Sequence, residues 1–461
     1  MLGAMSDAPL ARSALEDMIR SGEIDTVLVV FPDLQGRFMG KRVTGHYFLD
    51  HVVDGSVEAC NYLLTVDVDM NVLPGYQYAT WEQGYGDFSC RPDLATLRRI
   101  PWLEATALVI CDLFDEDSGE PVEVAPRTVL RRQLEKAAEM GYTVKCGSEL
   151  EFILFRQSYE EAAEAGYRGL TPQNDYVLDY HILQTTKDEY LIRQIRNGMD
   201  GAGVPVEFSK GEAEAGQHEI NLYYAEALEM ADRHAVYKNG VKEIAALNGQ
   251  SVTFMAKYAF DKTGSSCHIH SSVWDAEGEN SLMWDEDGPH HMSEVFRGWL
   301  GGQMAATREL SWCFAPFVNS YKRYQPDSWA PTAIGWGRDN RTLGLRVVSH
   351  GQGYRVESRI PGADANPYLA FAAKIAAGLH GIRHGLEPGD PYEGNGYDAP
   401  DLLRVPHTLT DAIELLEGST VAREAFGDQV HQHLVNTAVQ EWNEFNKTVT
   451  DWEVRRGFER L

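Results

Sequence analysis

An α+β fold is predicted for this 461-residue chain, and three features of the sequence carry the expectation. Strand-like runs follow one another near the N-terminus, long apolar helices are inserted between further strands later on, and no regular strand–helix–strand alternation appears anywhere. The length allows two domains or one large one, and a hydrophobic content of 43% is ordinary for a globular enzyme.

Taken in order, a short helix is expected over 11–20 and a strand over 26–31. Asp33, Leu34, Gln35, Gly36 and Arg37 then suit a turn between strands, and further strands are expected over 62–68 and 107–113. Residues 1–117 therefore read as a small strand-rich domain, closed by the polar run from Asp115 to Gly119, and 118–461 as a second, larger one. Its first helix starts after Pro126, shows Val129, Leu130, Leu134 and Ala138 as an apolar stripe, and stops at Gly141. Beyond it, strands are expected over 145–155, 217–224, 252–258, 268–274, 343–348 and 354–360. Helices are expected over 225–247, 292–313 and 367–386.

The formal net charge of -28 argues against nucleic acid or an anionic membrane as partner. Six scattered cysteines without a CxxC pair or a preceding secretion signal read as free thiols in a reducing cytoplasm. No apolar run approaches the ~18 residues needed to span a bilayer.

The chemistry centres on the strand 145–155. Alternation points Glu149 and Glu151 one way and Leu150, Phe152 and Leu154 the other. Paired carboxylates on a half-buried strand call for a cation between them. Three more segments place ionisable groups on one face, and each has a plainer reading. Glu212, Glu214 and Glu219 also fit a solvated acidic loop; His268, His270 and Ser272 also fit a satisfied histidine pair. Arg355, Glu357 and Arg359 also fit an exposed edge. Arg323, Arg338, Arg341 and Arg346 add a density of guanidinium groups that suits bidentate binding of carboxylate or phosphate. Together, oxygen ligands, imidazole and arginines suit Mg²⁺ or Mn²⁺ and a phosphorylated substrate.

These residues, with Arg91, Pro92, Asp93, Leu94, Ala95 and Thr96, the run Gly216–Ile220, the run Asn319–Arg323, Asn340 and Asn366, Pro367 and Tyr368, closely resemble the glutamine synthetases over nearly the whole length. The resemblance implies an N-terminal β-grasp-like domain and a catalytic domain with a curved antiparallel sheet ringed by helices. It implies two metals, one on Glu151, Glu212 and Glu219 and one on Glu149, His268 and Glu357. His270, Ser272 and Arg355 would hold ATP, Arg341 and Arg346 the transferring phosphoryl group, and Arg323, Arg359 and Gly264 glutamate. Glu214 matches no ligand position. Stacked hexameric rings, a dodecamer with the small domain of one copy completing its neighbour's site, are also implied.

Departures from the family pattern bear on function. Trp329 stands where the family's flap glutamate would take a proton from ammonium, and Asn61 lies nearest the missing ammonium-binding aspartate. Thr263 and Ser266 replace an asparagine and a glycine beside the glutamate site. The expectation is a ligase joining glutamate to an organic primary amine (a monoamine such as ethanolamine or an arylamine, or a polyamine) through γ-glutamyl phosphate. Trp329 offers this amine packing area and a π face but accepts no proton. Ammonium use with a relocated base, and a non-catalytic relative, are the rivals. Whether Tyr397 carries a modification stays open.

Overall fold

A computed structural model describes residues 10–326 and 328–461; Met1 to Pro9 and Asp327, the latter in the expected flap, lie outside the described residues. Two sheets organise the chain. The first contains β1 (Thr26–Pro32), β2 (Phe38–Thr44), β3 (Val57–Cys60), β4 (Asp87–Arg99) and β5 (Thr106–Asp115), in the order β2-β1-β5-β4-β3. β1 runs parallel to β5, and the other pairs are antiparallel. The β1–β2 turn is fixed by Asp33, whose carboxylate accepts from the amides of Gln35 and Arg37, while Gly36 takes a φ of 76° that a side chain would resist.

The second sheet contains β6 (Thr143–Phe155), β7 (Val206–Gly211), β8 (Gln217–Leu222), β9 (Ala225–Glu226), β10 (Ser251–Thr253), β11 (Cys267–Trp274), β12 (Trp336–Arg338), β13 (Leu345–Val348) and β14 (Arg355–Ser358). Its main path is β12-β13-β14-β11-β6-β8-β7, with β9 and β10 also on β6, and only β12–β13 is parallel. One face of β6, with Leu150, Phe152 and Leu154, packs into the core against the long helix Ala227–Leu247. The other face carries the charged residues.

An ion network ties the first sheet to two helices of the second part of the chain. Arg127, at the start of the helix Pro126–Glu139, is buried and reaches Asp93 on β4, Asp112 on β5 and Asp232 on the helix Ala227–Leu247. Burial opposes its charge, but the carboxylates win and hold the guanidinium well above its ordinary value.

Several expected elements are shorter or of another type. Residues 62–68 form no strand: Asn61–Leu64 is a 3-10 helix, and Asp67 then folds the chain back by accepting from the amides of Asp69 and Asn71. Its apolar spacing reflects a loop pinned by buried Leu64 and Val66. Only Val252 and Thr253 of the run 252–258 pair with β6, and the helix expected over 292–313 is Glu294–Ala306, capped by Ser293 and followed by the 3-10 turn Ser311–Cys313. All six cysteines are free. Among the described residues no helix is long and apolar enough to cross a membrane.

Candidate active site

Opposed residues on adjacent antiparallel strands point to the same side of a sheet, and three rows of them cross the second sheet. Arg346 on β13 faces Glu357 on β14, which faces His270 on β11. His268 on β11 faces Glu149 on β6, which faces Asn221 on β8. Glu151 on β6 faces Glu219 on β8, which faces Lys210 on β7. Alternation adds Arg355 to this face, and Arg359 follows just past the end of β14.

This face lines a cavity of about 380 Å³. Glu149, Glu151, Glu212, Glu219, His268 and Glu357 converge on it, with Arg323, Arg341, Arg346, Arg359, Gly264 and Trp329. A second cavity of about 320 Å³ shares Glu149 and Asn221 with the first and takes His270, Ser272 and Arg355. Residues far apart in sequence thus meet around two adjoining cavities.

Charge is unevenly balanced within the first cavity. Glu357, fully buried, is clamped between Arg346 Nη1 and Arg359 Nη1, each 2.6 Å from one of its oxygens. Burial works against its ionisation, but His268, His270 and Arg359 bring the carboxyl down to about 2. Glu149 is likewise held low against its burial, by His268 Nδ1 at 3.2 Å and His270 Nε2 at 3.0 Å. Glu151 and Glu219 go the other way. Burial, then the charge of Glu212, pushes Glu151 up to about 7; burial and the charges of Glu149, Glu212 and Glu151 push Glu219 well up.

That imbalance suits a divalent cation. Glu149, His268 and Glu357 present ligand atoms within 4.8 Å of one another, and so do Glu151, Glu219 and His268. His268 Nε2 is buried without a hydrogen-bond partner among the described residues, leaving a ring nitrogen to spare. Oxygen donors with one imidazole fit Mg²⁺ or Mn²⁺. Glu212 stands outside both clusters: it lines the cavity but is ion-paired with Lys210.

The remaining expected residues take supporting or mouth positions. Arg323 is buried and gives both Nη atoms to backbone, at 2.8 Å to the Ile360 carbonyl and 3.0 Å to that of Arg359. A Cβ on Gly264 would meet its Cγ at 2.7 Å, so glycine is required there by packing. Ser266 donates its amide and hydroxyl to Glu151, and Thr263 donates its amide to Glu214. Arg355 Nε donates to His270 Nδ1 at 3.0 Å, and Ser272 accepts from the Trp274 indole. Trp329 is 59% exposed at the cavity mouth, with a φ of 59°. Arg341 is exposed and lines the same cavity; Asn61 lines neither. Tyr397 is half-buried in the 3-10 turn Gly396–Asp398.

Three residues of the second cavity lie outside the set the sequence points to. Tyr224 and Trp274 turn near-parallel rings to each other, 21° apart with centroids at 6.4 Å, and Lys145 Nζ lies 3.9 Å from the Trp274 ring centre. Such faces suit a flat heterocycle. Alternation was the signal: Trp274 lies two residues past Ser272, and Lys145 four before Glu149, so each shares the active face.

Residues 123–457 match the glutamine synthetase catalytic domain. The chain belongs to the glutamine synthetase family. Within it, this synthetase relative is 55% identical to the γ-glutamylethanolamide synthetase GlnA4 of Streptomyces coelicolor, over 98% of this chain and 96% of that enzyme. It is 37% identical to the glutamate–isopropylamine ligase of a Pseudomonas species, over 96% of each. The solved structure of a GmaS/ADP complex superposes with a TM-score of 0.83 at 30% identity, covering 96% of this chain and 99% of that one. The two-sheet α+β architecture is that of the glutamine synthetase fold.

Proposed function

We propose that this family member joins the γ-carboxyl group of glutamate to a small organic primary amine of the alkanolamine or alkylamine kind. The chain is an ATP-dependent carboxylate–amine ligase that forms γ-glutamyl amides. The observation that carries the choice of amine is Trp329 at the mouth of the carboxylate-lined cavity, an apolar ring face on which a carbon-bearing tail packs and ammonium does not. Sequence identity of 55% and 37% with enzymes named for an ethanolamide product and an isopropylamine substrate supports it.

In this reading an oxygen of the γ-carboxylate attacks the terminal phosphorus of ATP and ADP departs. The amine first loses one proton from its ammonium form to a cavity carboxylate or water, its nitrogen then attacks the acyl carbon, the C–N bond forms, phosphate leaves with the acyl oxygen, and the nitrogen releases a second proton to water. Bound divalent cations, on Glu149, His268 and Glu357 and on Glu151 and Glu219 with Glu212, would supply Lewis-acid charge at the transferring group. Arg346 and Arg341 add further positive charge against the oxygens of the transferring phosphoryl group. Arg359 pairs with a glutamate carboxylate, and Arg323 fixes the backbone beneath it. His270, positioned by Arg355, and the Tyr224 and Trp274 rings hold the nucleotide. Homo-oligomeric rings and a cytoplasmic location belong to the same proposal.

The test is phosphate release with ATP, Mg²⁺ and glutamate against ammonium, ethanolamine, alkylamines, polyamines and arylamines. Ethanolamine or a short alkylamine is expected to give the highest kcat/KM. A chain that releases phosphate fastest with ammonium does not have this function.

A further inference from the structure

Lys210 occupies a position that bears directly on which amine can enter. It sits on β7 opposite Glu219, with a side chain only 16% exposed. Its Nζ is ion-paired with Glu212, lies 3.7 Å from Asp179 Oδ1, and stands 4.5 Å from the centre of the Tyr180 ring. Two carboxylates and an aromatic face make a cage for a cation, and the chain fills it with its own ammonium group. This cage belongs to the same cavity as Trp329.

Resting on the reading above, we propose that Lys210 is the residue that sets amine specificity, by holding a fixed positive charge where the tail of the amine lies. Glu212 and Glu219 are themselves inferred metal ligands, so a cation bound there draws on their negative charge and leaves Lys210 only partly offset, by the half-exposed Asp179 at 3.7 Å. A tail bearing a second ammonium group is then repelled across a low-dielectric pocket. An apolar tail packs on Trp329, and a hydroxyl tail also accepts a hydrogen bond from Nζ. The substrate class is therefore monoamines with uncharged tails, and diamines and polyamines are excluded.

The test compares aminobutanol with putrescine, which differ only in a terminal hydroxyl against a terminal ammonium, and uses ethanolamine as the reference amine. For the wild-type enzyme, kcat/KM is expected to favour aminobutanol by roughly tenfold or more, the scale of one unscreened like-charge contact. Lys210→Met should bring the two substrates close together, and Lys210→Arg, which keeps the charge, should preserve the gap. Because Lys210 touches Glu212, the methionine variant can lose turnover altogether. Inhibition of the wild-type ethanolamine reaction then decides, with putrescine expected to inhibit more weakly than aminobutanol by a similar factor. Equal use or equal inhibition by the two compounds overturns the assignment and leaves the ligase reading standing. Phosphate release with no amine at all, ethanolamine included, removes both together.

Discussion

Glu151 and Glu219 stand directly opposite each other on β6 and β8, both buried, with ligand atoms in one cluster with His268. Two desolvated carboxylates in register are costly to ionise together, and a divalent cation removes that cost. Burial and Glu212 raise the Glu151 carboxyl from 4.5 to about 7. A raised carboxyl penalises the metal-free fold progressively as pH rises from about 4.5 to about 7, with the penalty complete above that range. Mg²⁺ should therefore raise the Tm more at pH ~8 than at pH ~6. Glu151→Gln should weaken this metal response while leaving the metal-free protein as stable or more so. Thermal unfolding with and without Mg²⁺ at the two pH values checks both, and an equal rise at each would contradict the inferred site.

Removing a ligand of the other cluster should remove catalysis. Glu149→Ala and Glu357→Ala are each expected to lower kcat by a factor on the order of 10³ or more, since each takes away inferred metal charge at the transferring group. Glu214→Ala should keep most of its kcat. By sequence Glu214 matches no ligand position and its loss is expected to be nearly silent, but its carboxylate holds the Thr263 amide and Lys262 beside Gly264. A rise of a few fold in KM for glutamate is therefore expected. A dead Glu214→Ala alongside an active Glu357→Ala would reverse the ligand assignment.

How much of this site is legible in the sequence depends on which residues the chain's local pattern can speak for. Period-two alternation alone puts Glu149 with Glu151, and His268 with His270, on one face. It says nothing of which strands are neighbours, so the meeting of Glu151 with Glu219 comes through the family resemblance, and the opposition of Arg346 with Glu357 through the structure alone. Lys210 escapes notice because β7 carries no clear alternation, with only its last residue fully buried. β4 is hidden by Pro92 and Asp93, turn-forming residues that here precede a bulge between Asp93 and Arg98. The loop around Asp67 misleads for the opposite reason, since Leu64 and Val66 are buried without pairing as a strand.

Arg323 and Arg359 should separate under substitution by lysine. Lysine keeps the charge but loses the planar fork. Arg359→Lys should raise KM for glutamate roughly tenfold, the weight of one charge-assisted hydrogen bond, with little change for ATP. Arg323→Lys should also lower stability by about 1–3 kcal/mol, because the carbonyls of Ile360 and Arg359 lose a buried donor. Initial-rate kinetics and chemical denaturation measure the two effects. Equal losses of glutamate and ATP affinity in Arg359→Lys would count against its role.

Trp329→Glu replaces an apolar wall with a carboxylate at the cavity mouth. Alkylamines and ammonium are protonated at neutral pH and need a base, which an indole cannot be. The variant is expected to gain measurable ammonium-dependent glutamine formation and to lose kcat/KM for its organic amine by roughly tenfold, as a packing surface becomes a charge. Product analysis of the variant's reactions measures both changes, and an unaltered amine profile would show that the mouth does not choose the nucleophile.

The most direct measurement is a competition in one tube: wild-type enzyme, ATP, Mg²⁺ and glutamate with ammonium and ethanolamine at equal concentration, the products separated and weighed by mass spectrometry. The account predicts that γ-glutamylethanolamide dominates, by roughly tenfold or more on the scale set by a mismatched binding pocket. Glutamine as the main product would contradict it.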